Sequence, residues 1–490
     1  MKSYDLIIKN GQVVTSTETR YVDIGISDQK IIAIGNNLLN SKETIDATGK
    51  YILPGGVDSH CHVEQKSASG LINSDTFETA TKSAAIGGNT SIIPFAAQYE
   101  GSSLSETLDH YHKLAKNGSI IDYAMHMIIA GPNSHLLNTE LPEQIKLGHS
   151  SIKIFMTYDR LRIEDIDILN IFEKAREMEA FISVHAENHG MITWMVNKLL
   201  EKGYTHPKFH SVSHPVAGEV EAINRIIGIS ELMDQPVMIF HVSSEKGVEA
   251  IRNAQARGVK IFAETCVQYL TLTSDEMDKP GVEGGKWICS PPLRKIRDQN
   301  ALWDAVKDNT LCLISSDHAP YSFDSNGKLF KGQNPNFKDI PNGMPGLNWR
   351  LPLLFDEIVN KNKKGLNIND FVRLTSTLPS KIYGLYPQKG DIKIGFDADL
   401  AIWNPQVTKK LSDDMVVDGS GYNPYSGKII KGWPETVILR GSVIVSNNKV
   451  IAKPGNGNFL PTKLSPEVKP KGIIANDLIK KNNYGAILYS

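Results

Sequence analysis

The 490-residue sequence has few cysteines, no long apolar run and no excess of charge of either sign. Its four cysteines, Cys61, Cys266, Cys289 and Cys312, show no CxxC pair or regular spacing, which excludes a disulfide framework and favours a reducing compartment. No apolar stretch reaches the roughly 18 residues of a membrane span, and the N-terminal segment lacks the apolar stretch of a signal peptide. We therefore expect a cytoplasmic protein with no membrane partner.

The charge balance excludes another class of partner. Lysine and arginine number 53 and aspartate and glutamate 54, which gives a formal net charge of -1. Nucleic-acid binding usually needs a basic excess, so we expect no nucleic-acid partner. The sequence also lacks a glycine-rich phosphate loop between a strand and a helix, which disfavours an open nucleotide-binding sheet. A net charge near zero permits self-association.

What the sequence does have is a regular alternation of apolar runs and helical stretches, typical of parallel βα units. The predicted strands are Tyr51 to His62, Thr90 to Phe95, Ala124 to Ala130, Ser151 to Phe155, Phe181 to His185, Val237 to His241, Val259 to Glu264 and Leu311 to Asp317. Eight strands over about 265 residues match the length and repeat number of a (β/α)₈ barrel of the TIM type.

Short β-rich segments lie on both sides of the barrel region. Apolar runs flank Asn10-Gly11, Asp28-Gln29 and Arg440-Gly441, and this pattern is typical of β-hairpins. Two unrelated hairpin units are one interpretation, and a single small β-sandwich built from both chain ends is the more economical one. The predicted domains are therefore a sandwich of residues 1–53 plus 391–455, a barrel of residues 54–390 and an extended tail of residues 456–490. Such a tail is usually flexible, and packing over a neighbouring subunit is the alternative.

The strongest local pattern is a predicted strand that ends in His60-Cys61-His62. Side chains alternate along a strand, so His60 and His62 face the same way and Cys61 faces the other. Two imidazoles on one face can share a metal ion. A second His-x-His pair, His110 and His112, lies in a helix-like stretch where residues i and i+2 do not face each other, and we interpret it as helix surface.

Three further metal-capable residues, His185, His241 and Asp317, each end an apolar predicted strand. The carboxyl ends of the strands in a (β/α)₈ barrel form one rim, where active sites lie. A hydrogen-bonded histidine at a strand end explains any one of them. Their joint occurrence with His60 and His62 instead predicts a metal site at this rim.

Lys153 is unusual because it interrupts an apolar predicted strand. A buried ammonium group pays a desolvation cost unless it is paired or chemically altered. A deprotonated lysine can react with carbon dioxide to give a carbamate, whose two oxygens can bridge two metal ions. The alternative is a lysine that extends to the rim or pairs with a carboxylate.

With these residues in place, the chain resembles the dihydropyrimidinase/hydantoinase family of the amidohydrolase superfamily. The stretches that carry the resemblance are PGGVDSHCH, DTFETATKSAAIGGNTSIIPF, SIKIFMTY, VHAEN, ETCVQYL, CSPPLR, SSDHAPY, PNGMPG and GFDADLAIWNP. They extend from about residue 50 to about residue 405, and the resemblance covers nearly the whole chain.

The resemblance implies a centre of two divalent metal ions, usually Zn²⁺, with Mn²⁺ and Co²⁺ as alternatives. The implied ligands are His60, His62 and Asp317 for the more buried ion, His185 and His241 for the more exposed one, and Lys153, carbamylated by CO₂ to N6-carboxylysine, as the bridge. A hydroxide that bridges the metals is the implied nucleophile, because two cations lower the pKa of bound water.

The family also implies roles for residues around the metals. Asp317 would act as general base, and Tyr158 would donate a hydrogen bond to the developing oxyanion. Backbone groups of Ser290 and Asn342 would bind the amide edge of the substrate ring. The implied reaction opens a dihydropyrimidine or a 5-substituted hydantoin to an N-carbamoyl amino acid, in an enzyme that is commonly a homotetramer.

Four positions depart from the family pattern, none of them an implied metal ligand: Cys61 replaces threonine, Asp159 lysine, His214 arginine and Val267 proline. The stretch VEQKSASGL, residues 63–71, also differs from many relatives, so the ring substituent stays open.

Three other interpretations compete with this one, two of them enzymatic activities and the third a non-catalytic role. Allantoinase, or another cyclic-ureide amidohydrolase, shares the metal set. Dihydroorotase is disfavoured, because Glu64 stands where an arginine clamp for the substrate carboxylate is expected. A non-catalytic scaffold, like the collapsin-response mediator proteins, is disfavoured because all six ligand positions are present.

Overall fold

Eight parallel strands form the predicted barrel in the computed structural model, which describes residues 3–67 and 70–472. They are Gly56–Cys61, Asn89–Gln98, His126–Ile129, Ser151–Phe155, Phe181–His185, Val237–Ile239, Ile261–Cys266 and Leu313–Ser315. Each strand pairs with the next one along the chain, and a bridge between Cys61 and His318 connects the eighth strand to the first. The short strand Asp122–Tyr123 pairs beside the second. The (β/α)₈ prediction is confirmed.

Helices alternate with the strands and cover the outside of the barrel. The α-helices are Phe77–Ile86, Leu104–Gly118, Leu141–Lys146, Asp165–Glu177, His189–Glu201, Phe209–Ser213, Val216–Met233, Glu245–Ala256, Val267–Thr271, Ile296–Lys307, Arg350–Phe355, Ile368–Val372 and Leu378–Ile382. Several begin at a polar cap, as at Asn188, whose side chain accepts a hydrogen bond from the Met191 backbone N–H. Among the described residues, no helix combines the length and the apolar composition that a membrane crossing requires.

Two further sheets pack face to face and combine strands that precede the barrel in the sequence with strands that follow it. One consists of Tyr4–Lys9, Asp23–Ser27, Lys30–Gly35 and Ser41–Asp46, and the other of Gln12–Val14, Thr19–Tyr21, Tyr51–Pro54, Leu400–Lys410, Ile429–Leu439, Ser442–Ser446 and Lys449–Val450. The strands Tyr51–Pro54 and Leu400–Lys410 are antiparallel neighbours. The buried side chains of Ile24, Ile52 and Ile402 share one apolar cluster. The chain ends therefore form one β-sandwich, not two unrelated units.

The predicted hairpin at Asn10-Gly11 is wrong, whereas the other two are confirmed. The strands on either side of Asn10-Gly11 belong to different sheets, although Asn10 has the positive φ of a turn, 63°. A Cβ on Gly11 would lie 2.7 Å from the Ile52 side chain, so the chain passes close to the core as it changes sheet. The strands flanking Asp28-Gln29 and Arg440-Gly441 do pair as antiparallel hairpins.

The predicted strand Tyr51 to His62 is split at Gly55. Its first part pairs in the sandwich and its second part is the first barrel strand. The Gly55 N–H donates to the Asp399 carbonyl at 2.8 Å. A Cβ at this position would lie 2.1 Å from the Thr90 Oγ1, so only glycine fits where the chain passes from sandwich to barrel.

The described part of the predicted tail, residues 456–472, has little regular secondary structure and lies against the barrel. The Leu460 N–H donates to the Tyr123 carbonyl at 2.7 Å, and the Thr462 N–H donates to the Gly148 carbonyl at 2.8 Å. Leu460 and Val468 are buried. Residues 473–490 lie outside the described residues.

Candidate active site

A cavity of about 510 Å³ opens at the rim where the barrel strands end. All the predicted site residues line it: His60, His62, Lys153, Tyr158, His185, His241, Ser290, Asp317 and Asn342. In the sequence these residues stand in strands, at strand ends and in loops, the first and the last more than 250 positions apart. The fold brings all of them to one cavity.

His60, His62 and Asp317 form a compact cluster at the junction of the first and last barrel strands. The Asp317 Oδ1 lies 3.0 Å from the His60 Nε2 and 3.4 Å from the His62 Nε2. Burial acts to raise the pKa of the Asp317 carboxyl, but the two imidazoles hold it well below its usual range. The carboxylate therefore stays ionised, as a metal ligand or proton acceptor must.

The other two histidines face each other across the rim. The ring centroids of His185 and His241 are 4.4 Å apart, and the His241 ring lies 5.4 Å from that of His60. Burial lowers the pKa of both imidazoles, well below the usual range for His241. Neutral imidazole is the form that binds metals.

Lys153 lies in the middle of the fourth barrel strand and is fully buried. Its Nζ has no hydrogen-bond partner among the described residues and lies 4.0 Å from the centroid of the Phe240 ring. Burial lowers the pKa of the ammonium to about 7, although Glu264 and Asp317 oppose the shift. Within the described part of the chain, the lysine neither extends to solvent nor pairs with a carboxylate, so neither form of the alternative interpretation is observed.

The donor set fits metal ions. His60, His62 and Asp317 form a candidate metal site whose ligand atoms lie within 4.8 Å of one another. Glu264 and Cys266 form a second such group with His60. Burial raises the pKa of the Cys266 thiol well above its usual range, so without a metal ion this sulfur stays protonated.

The predicted substrate contacts meet at Tyr158. This residue has a positive φ of 74°, which a non-glycine residue adopts only at a cost. Burial raises the pKa of its hydroxyl, and hydrogen bonds with Ser290 and Asn342 offset the rise only in part. The phenol therefore stays protonated and can donate a hydrogen bond.

Sequence reasoning missed two buried carboxylates that orient the histidines. The Glu264 carboxylate contacts the His60 Nδ1 from below the rim. The Glu187 Oε2 accepts hydrogen bonds from the His185 Nε2 at 2.8 Å and from the Ser290 Oγ at 2.6 Å. The glutamates in the VHAEN and ETCVQYL stretches were the available signal, but only the fold shows what they contact.

The departures from the family pattern fall in two places. Cys61 and Val267 are buried in the hydrophobic core, and Cys61 does not line the cavity, as strand alternation predicts. His214 and Asp159 do line it. The His214 side chain is buried, whereas Asp159 is exposed, with its Oδ1 3.4 Å from the His189 Nε2.

A parallel barrel with nitrogen and oxygen donors clustered at the carboxyl ends of its strands defines a class of barrel enzymes that act at this rim. Residues 51–444 match the model of the amidohydrolase family. The D-hydantoinases of Ralstonia pickettii and Rhizobium radiobacter are each 38% identical to the chain, over 93% of its length and 98% of theirs. The solved structure of the dihydropyrimidinase from Brevibacillus agri superposes with a TM-score of 0.90 at 36% identity, over 94% of this chain and 99% of the other.

The chain therefore belongs to the amidohydrolase family, as a cyclic amidohydrolase of its hydantoinase and dihydropyrimidinase group. The resemblance found in the sequence is confirmed.

Proposed function

We propose that this protein hydrolyses the cyclic amide bond of dihydropyrimidines or 5-substituted hydantoins and releases N-carbamoyl amino acids. The observation that carries the proposal is the convergence of four histidines, an ionised aspartate and a buried lysine, unpartnered among the described residues, on one cavity. The relatives named above act on rings of these two types, according to their names.

The metal ions that this site would hold are two divalent cations, with Zn²⁺ as our first choice and Mn²⁺ or Co²⁺ as alternatives. We assign one ion to His60, His62 and Asp317 and the other to His185 and His241. Lys153, as N6-carboxylysine, would contribute an oxygen to each. When bound, such a pair polarises the ring carbonyl and lowers the pKa of water so that a nucleophile exists near neutral pH.

The protein's own groups would manage protons and orientation. Asp317 would accept the proton of the attacking water and deliver it to the ring nitrogen as the carbon–nitrogen bond breaks. The Tyr158 hydroxyl would donate a hydrogen bond to the carbonyl oxygen as negative charge develops there. The backbone groups of Ser290 and Asn342 would bind the amide edge of the ring.

The cavity also bears on the competing substrates. Among its described lining residues there is no arginine to clamp a substrate carboxylate, and Glu64 does not line it, which disfavours dihydroorotate. Allantoin, itself a hydantoin, remains the second candidate substrate because it would use the same donors.

The test combines elemental analysis of the purified protein with a hydrolysis panel of dihydrouracil, 5-substituted hydantoins, allantoin and dihydroorotate. We expect bound metal and ring opening of dihydrouracil or hydantoins. Asp317→Asn should abolish turnover, whereas Asp165→Asn, the same change at an exposed position outside the cavity, should not. The proposal would be refuted if no preparation binds metal, even when Zn²⁺ and bicarbonate are supplied, and none opens a ring. A preference for allantoin would establish the alternative.

We further propose that the protein is a homotetramer and that it is located in the cytoplasm. We also propose two domains, one of residues 1–53 plus 391–455 and the other of residues 54–390. The four cysteines are unpaired, which suits a reducing compartment. Helix His189–Glu201 exposes Trp194 and Met191, apolar side chains that suit a subunit contact. Light scattering of the purified protein would measure its oligomeric state.

A further inference from the structure

One fully buried lysine plays no part in the proposed chemistry. Lys328 is 0% exposed, and its Nζ donates to the Ile288 carbonyl at 2.9 Å and to the Pro341 carbonyl at 3.0 Å. Among the described residues, no carboxylate lies within ion-pair distance of it. Burial lowers the pKa of this ammonium to about 7, which reflects the cost of removing it from water.

The two carbonyls that Lys328 contacts belong to the two segments that carry the proposed substrate contacts. Ile288 lies two residues before Ser290, and Pro341 directly precedes Asn342. The Ile288 carbonyl also accepts the Gly343 N–H at 3.0 Å, so the segments 288–290 and 341–343 are already in contact. The Lys328 side chain joins them a second time.

The first segment is held from other directions as well. The His210 Nε2 donates to the Cys289 carbonyl at 2.7 Å, and the Ser290 Oγ donates to Glu187. These contacts fix segment 288–290 to the barrel. The Lys328 ammonium differs from them because it bonds to both segments at once, so its position sets the distance between them.

We propose that Lys328 is a positioning residue that sets the spacing between segments 288–290 and 341–343, between which the amide edge of the substrate ring binds. The inference rests on the proposed function, because Ser290 and Asn342 contact substrate only if the enzyme binds such a ring. A correctly spaced pair of backbone groups binds the ring equally in the ground state and the transition state. Lys328 therefore acts on KM more than on kcat.

The test compares Lys328→Met with Lys428→Met in the metal-loaded, full-length enzyme. Methionine keeps most of the side-chain volume but removes every donor. Lys428 is a matched control, because its Nζ also donates to a backbone carbonyl, that of Thr271 at 3.0 Å, and it does not line the cavity.

For Lys328→Met we expect KM to rise about tenfold, the effect of one misaligned hydrogen bond. We expect kcat to change less than threefold and metal content to stay the same. Lys428→Met should leave KM unchanged.

An unchanged KM in a folded, metal-loaded Lys328→Met enzyme would overturn the inference. A fall in kcat at constant KM would overturn it too, because that result would show general damage to the site. If Lys328→Met does not fold, Lys328→Gln replaces it in the test. The shorter amide of glutamine reaches only one of the two carbonyls, so we expect a smaller rise in KM. An unchanged KM in Lys328→Gln would overturn the inference as well. A wild-type enzyme that opens no ring would refute the proposed function and this inference together, whereas an active wild type with an unaffected Lys328→Met refutes the inference alone.

Discussion

Lys153 gives the sharpest prediction about the site, because it should hold metal only after it has reacted with carbon dioxide. Burial lowers the pKa of its ammonium from 10.5 to about 7. At pH 7, about half of such side chains are the neutral amine, against roughly 0.03% of an ordinary lysine. The neutral amine is the form that attacks carbon dioxide. The site therefore increases the reactive population about a thousandfold, while an ordinary surface lysine stays protonated.

The perturbation is to withhold carbon dioxide while metal is loaded. Apoprotein prepared with a chelator is given Zn²⁺ in degassed buffer, with or without ¹³C-labelled bicarbonate. With bicarbonate we expect two ions per chain, a ¹³C carbamate resonance and full turnover. Without it we expect one ion or none, because the oxygens that join the two ligand sets are missing. At a fixed concentration of dissolved CO₂, loading should slow about fivefold from pH 7 to pH 6 and close to tenfold over the next pH unit, because the neutral amine becomes scarcer.

Lys153→Ala provides the matched variant. It should bind little metal, show no response to bicarbonate and regain part of its metal and turnover when a small carboxylate such as acetate fills the vacated space. Two ions and normal turnover in Lys153→Ala would refute the reasoning. So would full loading of the wild type in degassed buffer without bicarbonate, or full loading with labelled bicarbonate and no ¹³C incorporation.

Three other substitutions test buried polar groups that are not among the proposed metal ligands. Glu187→Gln removes the charge that accepts the His185 N–H, so we expect a 10- to 100-fold loss of affinity for one metal ion, measured by titration with a chelator. Tyr158→Phe should lower kcat about 100-fold with little change in KM, because its hydrogen bond forms mainly in the transition state; an equal rise in KM would contradict this role. Lys389→Met removes the buried ammonium that three carboxylates share, those of Asp122 at 2.6 Å, Asp399 at 2.7 Å and Asp397 at 2.9 Å. Denaturant unfolding should show a loss of about 3–5 kcal/mol with an unaltered KM.

The barrel was predictable because its strands carry their signal locally. A strand of a parallel barrel is covered on both faces, so it reads as a short apolar run, and Phe181–His185 is buried throughout. A side chain able to bind metal stands directly where the run ends, as His185 does. Apolar runs and the polar residues that end them therefore located both the strands and five of the metal-capable residues.

The errors arose where the partner of a segment is far away in sequence. Asn10-Gly11 has the local features of a hairpin turn, and Asn10 does have a positive φ. The choice of sheet, however, depends on strands that follow later in the chain. In the sequence, Gly55 looks like part of one continuous strand. Only the close approach of its backbone to the Thr90 side chain shows why the chain passes from the sandwich to the barrel at this glycine. Neither contact leaves a periodic signal in the sequence.

The same limit explains why Glu187, Glu264 and Lys328 were missed. Glu264 contacts a histidine 204 positions earlier, and Glu187 accepts a hydrogen bond from a serine 103 positions later. The residue type suggests that a buried charged side chain has a structural or functional role, but that role depends on which residue the side chain contacts. The carboxylates and the buried lysine that orient the site can therefore be assigned only once the fold has placed them.

The backbone conformation of three cavity-lining residues could not be predicted from strand periodicity. Tyr158, His241 and Asp317 all have positive φ, at 74°, 41° and 46°. Such a conformation costs a non-glycine residue roughly 1–3 kcal/mol, and it persists only where the surrounding structure enforces it. Continued strand geometry would turn every second side chain away from the cavity, whereas a left-handed residue just after a strand redirects the chain at the rim. Three such residues line this one cavity. The packing of the barrel therefore sustains a strained rim, at which the side chains proposed as metal ligands and as oxyanion donor face the same cavity.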